Sequence, residues 1–442
     1  MVCFKLKIKK MKTFVLTLSL CYSIFISAQQ PCNPSVATGS ANCAAAATGY
    51  APLHDLGSGI SPLTGMMGGL YPGGSNYIPL AHKTAGLNLA SQIQPLNNTG
   101  NPDLVNGKIV LLQIGLSNTN IEGCEFDSIA YQDACKNPQV VLVNGAMGGA
   151  SAGVISDQTN AGYANYWNNV NGMMAANVVN ANQVQAIWFK ETNPVWYTPW
   201  PTQVTPQVFY DSLLIQFRRI FLEFVNRYPN LKVCYISPRI SARYASAALN
   251  PEPYAYWQGW AVKKVIEESI TGLLPYTGPG RIAPWLAWAP YMWSDGSIPQ
   301  TASPNFFLNC PADFALDGTH PSLGGAVKVG QLLIDHFKTD STCYTWFVIP
   351  SCFPTGTIEN TLSEELIVSP NPFIQQVTFT FGSNNLPLSG IILNVIGEEV
   401  QRFEKIDGNT LSFENEHLVP GIYFYSFKMS SGELISGKVM KN

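Results

Sequence analysis

The 442-residue sequence predicts an α/β protein, a parallel sheet with helices on both faces, followed by a small all-β domain. Three observations carry this. Short apolar runs, of the kind expected of strands buried on both faces, recur at residues 108–115, 139–143, 184–189, 231–237 and 285–289. Helical patterns lie between them. After residue 366 the pattern changes to short alternating segments separated by turn residues.

The chain divides in order. Lys12 precedes an apolar run over 14–26, and Ser27-Ala28 supplies a small-residue cleavage site. This is the pattern of a secretory signal peptide over residues 1–28, and Met11 alone opens a signal of normal length. The run is short for a membrane anchor, so no transmembrane helix is expected after cleavage. Residues 29–106 are rich in Gly, Pro and Asn and read as a loop-rich segment that wraps the surface near a site. Residues 107–345 hold the strand and helix patterns. The clearest helix spans 209–228, where Phe209, Leu213, Phe217, Ile220 and Phe224 share a face. Residues 261–270 and 325–337 read as two more. Residues 346–365 read as a linker, and 366–442 as a small Ig-like β-sandwich of about seven strands.

Charge and cysteines set limits. Removing residues 1–28 takes five lysines and no acids, leaving 20 bases against 28 acids, a net charge of −8. Such a balance argues against nucleic-acid binding. Eight of the ten cysteines remain, an even number that permits disulfides in an exported chain. Cys32/Cys43, Cys124/Cys135 and Cys343/Cys352 are close enough in sequence to close short loops. Cys234 lies in an apparent buried strand and reads as a free core thiol, leaving Cys310 unpaired. No Cys/His spacing suits a structural metal.

Sites in parallel sheets form at the carboxyl ends of the strands. Four groups of residues fall there or near the end of the domain: Gly115-Leu116-Ser117, Asn144 to Ser151, Lys190-Glu191-Thr192-Asn193, and Asp317-Gly318-Thr319-His320. Together they supply a hydroxyl, a Gly-rich turn with free N–H groups, a side-chain amide and an acid–base pair. These are the parts of acyl transfer through a covalent intermediate. Each part alone has an ordinary role. Ser117 is a turn serine, Asn193 before Pro194 starts a turn, and the Asp317 turn leads into a helix with Ser322 as a possible cap.

In this order the four blocks resemble the SGNH (GDSL-like) hydrolase superfamily, over roughly residues 108–338. The resemblance implies a flavodoxin-like three-layer α/β/α fold and hydrolysis of carboxylic esters, often acyl groups on sugars or lipids. It implies Ser117 as nucleophile and its own N–H as one oxyanion donor. Gly149 is a second donor, with Gly148 the alternative one register away, and Asn193 is the third. His320 is the general base and Asp317 orients it. No metal or organic cofactor is required, and an acetylated carbohydrate is the first substrate to expect. Two departures stand out. The family's Gly-Asp-Ser is Gly-Leu-Ser here, and Lys190-Glu191 precedes Asn193 where the family has Gly-x-Asn-Asp. Glu191 is left with two roles, bonding the loop or facing substrate. The competing reading is a non-catalytic cell-surface glycan-binding or adhesion protein on a hydrolase scaffold.

Arg239, Arg243 and Asp295 follow apparent strands and are candidates to line the pocket. His54 and His82 read as structural. The aromatics at 188–200, 254–260 and 285–293 suit core packing better than a sugar platform. The C-terminal segment, 366–442, resembles the type A sorting domain of the bacterial type IX secretion system. The matching features are Ser369-Pro370-Asn371-Pro372, Gly397, Leu418-Val419-Pro420-Gly421-Ile422-Tyr423 and Gly437-Lys438-Val439. The resemblance implies the type IX machinery as partner and a Gram-negative, Bacteroidetes-type source. It also implies a final place outside the cell, secreted or surface-attached.

Overall fold

The structure, a computed structural model, describes residues 40–194, 205–246, 251–302, 305–353, 366–382, 386–394, 398–414, 418–430 and 434–441. The expected signal peptide, Cys32, Gly397 and residues 354–365 of the expected linker lie outside them.

Five strands form one parallel sheet: β1 (Ile109–Gly115), β2 (Val140–Asn144), β3 (Val184–Lys190), β4 (Val233–Ile236) and β5 (Trp285–Trp288), in the order β2-β1-β3-β4-β5. Every residue of β1 and β3 is buried. Their largely apolar runs, interrupted by Gln113 in β1 and by Gln185 and Lys190 in β3, follow from this, since neither face meets water. The helices are α1 (Leu53–Leu56), α2 (Leu80–Ala90), α3 (Ser117–Gln132), α4 (Ala152–Ile155), α5 (Tyr163–Ala176), α6 (Pro206–Arg227), α7 (Tyr254–Ile270), α8 (Leu323–Thr339) and α9 (Tyr344–Phe347). Alternation along the strands divides the core in two. Val110, Leu112 and Ile114 cluster with residues of α5, α6 and α7, whereas Ile109 and Leu111 cluster with residues of α3 and α8.

The long amphipathic helix is α6, and Phe209, Leu213, Phe217, Ile220 and Phe224 are all buried on it. Thr205 caps it by accepting the Val208 N–H at 3.3 Å, with Pro206 at the first helical position. Ser322 caps α8 by accepting the Gly325 N–H at 3.2 Å. Helix α7 begins at Tyr254, well before residue 261, because its first turns are aromatic on all sides and fully covered. Trp188, Trp260, Trp285 and Trp293 are fully buried, so these rings are core.

The segment expected to be irregular contains α2. Its sequence shows no apolar stripe and buries only His82, Gly86 and Ala90, so periodicity does not reveal it. His82 Nε2 lies 2.8 Å from the Leu286 carbonyl on β5. Lys263 on α7 donates to the carbonyls of Gly68 (3.0 Å), Gly69 (3.0 Å) and Tyr71 (3.1 Å). This segment is therefore bonded to the α/β unit.

The disulfides differ from the local pairs expected. Cys43 bonds Cys310, and Cys135 bonds Cys352, across 267 and 217 residues. Neither Cys32/Cys43, Cys124/Cys135 nor Cys343/Cys352 forms. Pairing requires Cα atoms within bonding reach in the fold, 5.3 and 5.5 Å here, and sequence spacing does not report that. Cys124 is also disulfide-bonded. Cys234 is free and buried on β4 as expected, and Cys343 is free and buried as well. The second bridge also moves the linker. Trp346, Phe347 and Val348 are buried and Cys352 is tied to the core, so the compact unit runs past residue 346.

The C-terminal segment forms two antiparallel sheets. Its strands are β6 (Leu366–Ser369), β7 (Gln376–Phe381), β8 (Pro387–Leu393), β9 (Glu399–Phe403), β10 (Thr410–Glu414), β11 (Gly421–Met429) and β12 (Leu434–Lys441). The orders are β10-β7-β6 and β12-β11-β8-β9, around a core of their own that includes Phe379, Phe381, Tyr425 and Phe427. Asn371 Oδ1 accepts the Met440 N–H at 2.8 Å, which gives the Pro-Asn-Pro segment a structural task beside the last strand.

Peptide mapping under non-reducing conditions is expected to recover Cys43 linked to Cys310 and Cys135 linked to Cys352. The double variant Cys43→Ser/Cys310→Ser should lose about 2–4 kcal/mol of stability in denaturant titrations.

Candidate active site

Strand β1 ends at Gly115, and α3 starts two residues later. Leu116 between them is extended (φ −86°, ψ −161°) and Ser117 is the first helical residue. A Cβ on Gly115 would sit 2.1 Å from the Lys190 carbonyl oxygen and 2.2 Å from Thr119 Oγ1, so no other residue fits the turn. Thr119 donates to that same Lys190 carbonyl at 2.6 Å. Asn118 Nδ2 donates to the Thr319 carbonyl at 3.2 Å, tying the serine turn to the histidine turn.

The histidine turn depends on Gly318. Its φ is +66°, and a Cβ there would lie 1.9 Å from the Tyr244 carbonyl oxygen. The turn folds Asp317 back on itself, and its Oδ1 accepts the N–H groups of Thr319 and His320, both at 3.0 Å. Asp317 Oδ2 lies 2.5 Å from His320 Nδ1, and His320 Nε2 lies 2.6 Å from Ser117 Oγ. With Nδ1 donating to the carboxylate, Nε2 is free to accept the serine proton. Burial would raise the Asp317 carboxyl. The hydrogen bonds from His320, side chain first and then backbone, outweigh that and hold it below its ordinary value.

A cleft partly open to solvent is lined by Leu116, Ser117, Lys190, Glu191, Arg239 and His320 among others. Beneath it Lys190 Nζ meets both oxygens of Glu122 on α3, at 2.6 and 2.5 Å. Glu191 bonds its own loop and also stands in the cleft wall, with Oε2 buried and without a hydrogen-bond partner. Its Oε1 accepts the Thr192 N–H at 2.7 Å, and burial pushes its carboxyl well above the usual carboxylate range. Of the other candidates, Arg239 lines the cleft. Arg243 instead donates to the Ala45 and Asp295 carbonyls and pairs with the Asp295 carboxylate at 3.7 Å. Glu122 was not legible as a site residue; the only signal is an acid on the first turns of a helix that follows a strand.

The three expected oxyanion donors are placed differently from one another. Ser117 N–H has no hydrogen-bond partner among the described residues and points out of the first turn of α3. Gly148 is the glycine beside the serine: its Cβ position lies 3.8 Å from Ser117 Cβ, whereas nothing lies within 4 Å of the same point on Gly149. Asn193 does not line the cleft. Its Nδ2 donates to Gln216 Oε1 at 2.5 Å, and its Oδ1 accepts the Gly153 N–H at 2.9 Å. The amide is engaged by α4 and α6, contacts that sequence order does not disclose.

Residues 368–442 match the family model of the secretion system C-terminal sorting domain. The C-terminal segment is a type IX secretion sorting domain. This chain therefore carries an address for the type IX machinery, as used for secretion or cell-surface attachment in Bacteroidetes-type bacteria. Among the described residues no helix is long and apolar enough to cross a membrane. A search of curated proteins finds no match. Among solved structures, CopC from Methylosinus trichosporium OB3b is similar over 18% of this chain and 91% of its own, at 22% identity and a TM-score of 0.15. A double mutant of Cellulomonas fimi endo-beta-1,4-mannanase matches over 82% of this chain and 98% of its own, at 10% identity and a TM-score of 0.20. Beta-glucosidase from Listeria innocua in complex with isofagomine matches over 76% and 46%, at 10% identity and a TM-score of 0.18. Similarities this low support no conclusion about fold or chemistry.

Two measurements check the geometry of the histidine turn. Gly318→Ala should lose about 1–2 kcal/mol from the left-handed backbone alone, and more from the contact with Tyr244, in chemical denaturation. Asp317 has a depressed folded pKa, so its stabilising contribution is present above the ordinary carboxylate value and is lost as pH falls through the lower folded value. The stability gap between wild type and Asp317→Asn should hold from neutral pH down to that range and close below it.

Proposed function

We propose that this protein is an exported serine esterase of SGNH type that hydrolyses an O-acyl ester, with acetylated carbohydrate the first candidate substrate. The observation that supports it most is the continuous chain from Ser117 Oγ through His320 to Asp317, with links of 2.6 and 2.5 Å. The sheet order 2-1-3-4-5 is the flavodoxin-like one, in keeping with an SGNH fold.

In this reading Ser117 Oγ attacks the ester carbonyl carbon while His320 Nε2 takes its proton. Ionised Asp317 stabilises the imidazolium that forms. The carbonyl oxygen becomes an oxyanion next to the free N–H of Ser117 at the start of α3, where the helix dipole favours negative charge. Gly148, the glycine beside Ser117, is the candidate for a second backbone N–H donor in this reading. Asn193 joins only if its amide leaves Gln216. The intermediate then collapses, and the alcohol departs with the proton from His320. Water repeats the sequence to release the acid and free Ser117.

The test is hydrolysis of 4-nitrophenyl acetate by wild type and by Ser117→Ala. The variant should lose about 10³-fold or more in kcat with its thermal melting temperature kept. Equal rates would remove the esterase reading and leave the surface-binding one.

A further inference from the structure

Arg239 sits in the wall of the cleft that holds Ser117 and His320, and it is only 4% exposed. Its backbone is fixed by α7: Gln258 Oε1 accepts the Arg239 N–H at 2.9 Å, while Gln258 Nε2 donates to the Glu191 carbonyl at 3.0 Å. Its guanidinium, by contrast, donates no hydrogen bond to any described residue, and Nη1 is buried without a partner. No carboxylate among the described residues lies within ion-pair distance of it.

Most oxygens of the acids nearby are committed elsewhere. Glu122 holds Lys190. Asp317 holds His320 and two backbone N–H groups. Glu252 accepts from the Ala242 and Tyr256 N–H groups and from Trp293 Nε1, at 3.0, 3.1 and 2.8 Å. Glu191 is buried, and its Oε1 accepts from its own loop, while its Oε2 has no hydrogen-bond partner and does not reach Arg239 within ion-pair distance. A guanidinium stays charged under all ordinary conditions, and burying one without hydrogen bonds is costly; the charges of Glu252, Glu122, Asp317 and Glu191 offset part of that cost but satisfy none of its N–H groups. Arg239 lines the cleft beside the nucleophile, and a planar fork of N–H donors is suited to a carboxylate, which it can hold through two parallel hydrogen bonds.

We propose that Arg239 anchors a carboxylate of the substrate, so that the ester cleaved at Ser117 belongs to an anionic molecule. This deepens the esterase reading and rests on it. The carboxylate has two sources: the alcohol half, as in an O-acetylated uronic acid, or the acyl half, as in the half-ester of a dicarboxylic acid. Both present the same group to Arg239.

Two substrate pairs tell the sources apart, each with a neutral twin. One is acetylated glucuronic acid against acetylated glucose, and the other is 4-nitrophenyl hemiglutarate against 4-nitrophenyl acetate. In one pair, wild type should favour the anionic member by about 10- to 100-fold in kcat/KM, mainly through KM. Arg239→Met should erase that preference, and Arg239→Lys should retain part of it. Absence of preference in both pairs, or a preference that survives in Arg239→Met, overturns the proposal. Calorimetric binding of glucuronate and glutarate gives a readout without turnover. Binding of one of them that is lost in Arg239→Met supports the anchor even where Ser117→Ala hydrolyses esters as fast as wild type, a result that would sink only the esterase reading. If Arg239→Met does not fold, Arg239→Lys and competitive inhibition of wild type by glucuronate against glucose decide in its place. Equal inhibition by the two sugars together with unaltered carboxylate binding by Arg239→Lys counts against the anchor.

Discussion

The candidate site depends on how closely β1 and β3 approach at their carboxyl ends. At Gly115 the two backbones and the first turn of α3 meet with no room for a Cβ, and Thr119 bonds across to the Lys190 carbonyl. That contact lets α3 start almost at once after the strand, which puts Ser117 on its first turn. It also brings Lys190 over Glu122 in a fully buried pair. Such a pair adds little net stability, since both charges lose their water. Removing either partner would leave a bare charge in the core, and the pair links the end of β3 to the first turns of α3.

The histidine turn is held from another direction. Tyr244, after β4, presents the carbonyl that Gly318 packs against, and that carbonyl accepts the Asn42 N–H at 2.9 Å. Arg243 beside it grips Ala45, Gly49 donates to Asp295, and Cys43 is bonded to Cys310. The loop-rich segment before β1 thus fastens the turn that carries Asp317 and His320. Two parts of the chain far apart in sequence set the 2.6 Å distance between Ser117 and His320.

Much of this was legible in the residues. Strand positions follow from apolar runs because burial on both faces leaves no polar alternation to blur them. Helix α6 follows from its stripe of Phe, Leu and Ile, and the cap at Ser322 from local chemistry, whereas the earlier start of α6 and its cap at Thr205 came only from the structure. Helix α2 was not legible, since it buries one small face made of His82, Gly86 and Ala90. Glu191 was ambiguous for a related reason. A carboxylate that bonds the next backbone N–H and one that faces a ligand look alike in a sequence, and Glu191 combines that bond with a place in the cleft wall.

Local pattern by itself determined the parallel α/β unit, the β-sandwich with its export address, and the turn that joins Asp317 to His320. These depend on interactions a few residues long or on periodicity along one element. Tertiary structure alone decided which cysteines bond, where Asn193 points, which glycine stands beside Ser117, and that Arg239 lines the cleft with no close ion pair among the described residues. Each of these is a distance between segments far apart in the chain, set by how the strands and helices pack. Composition and spacing carry no measure of such distances.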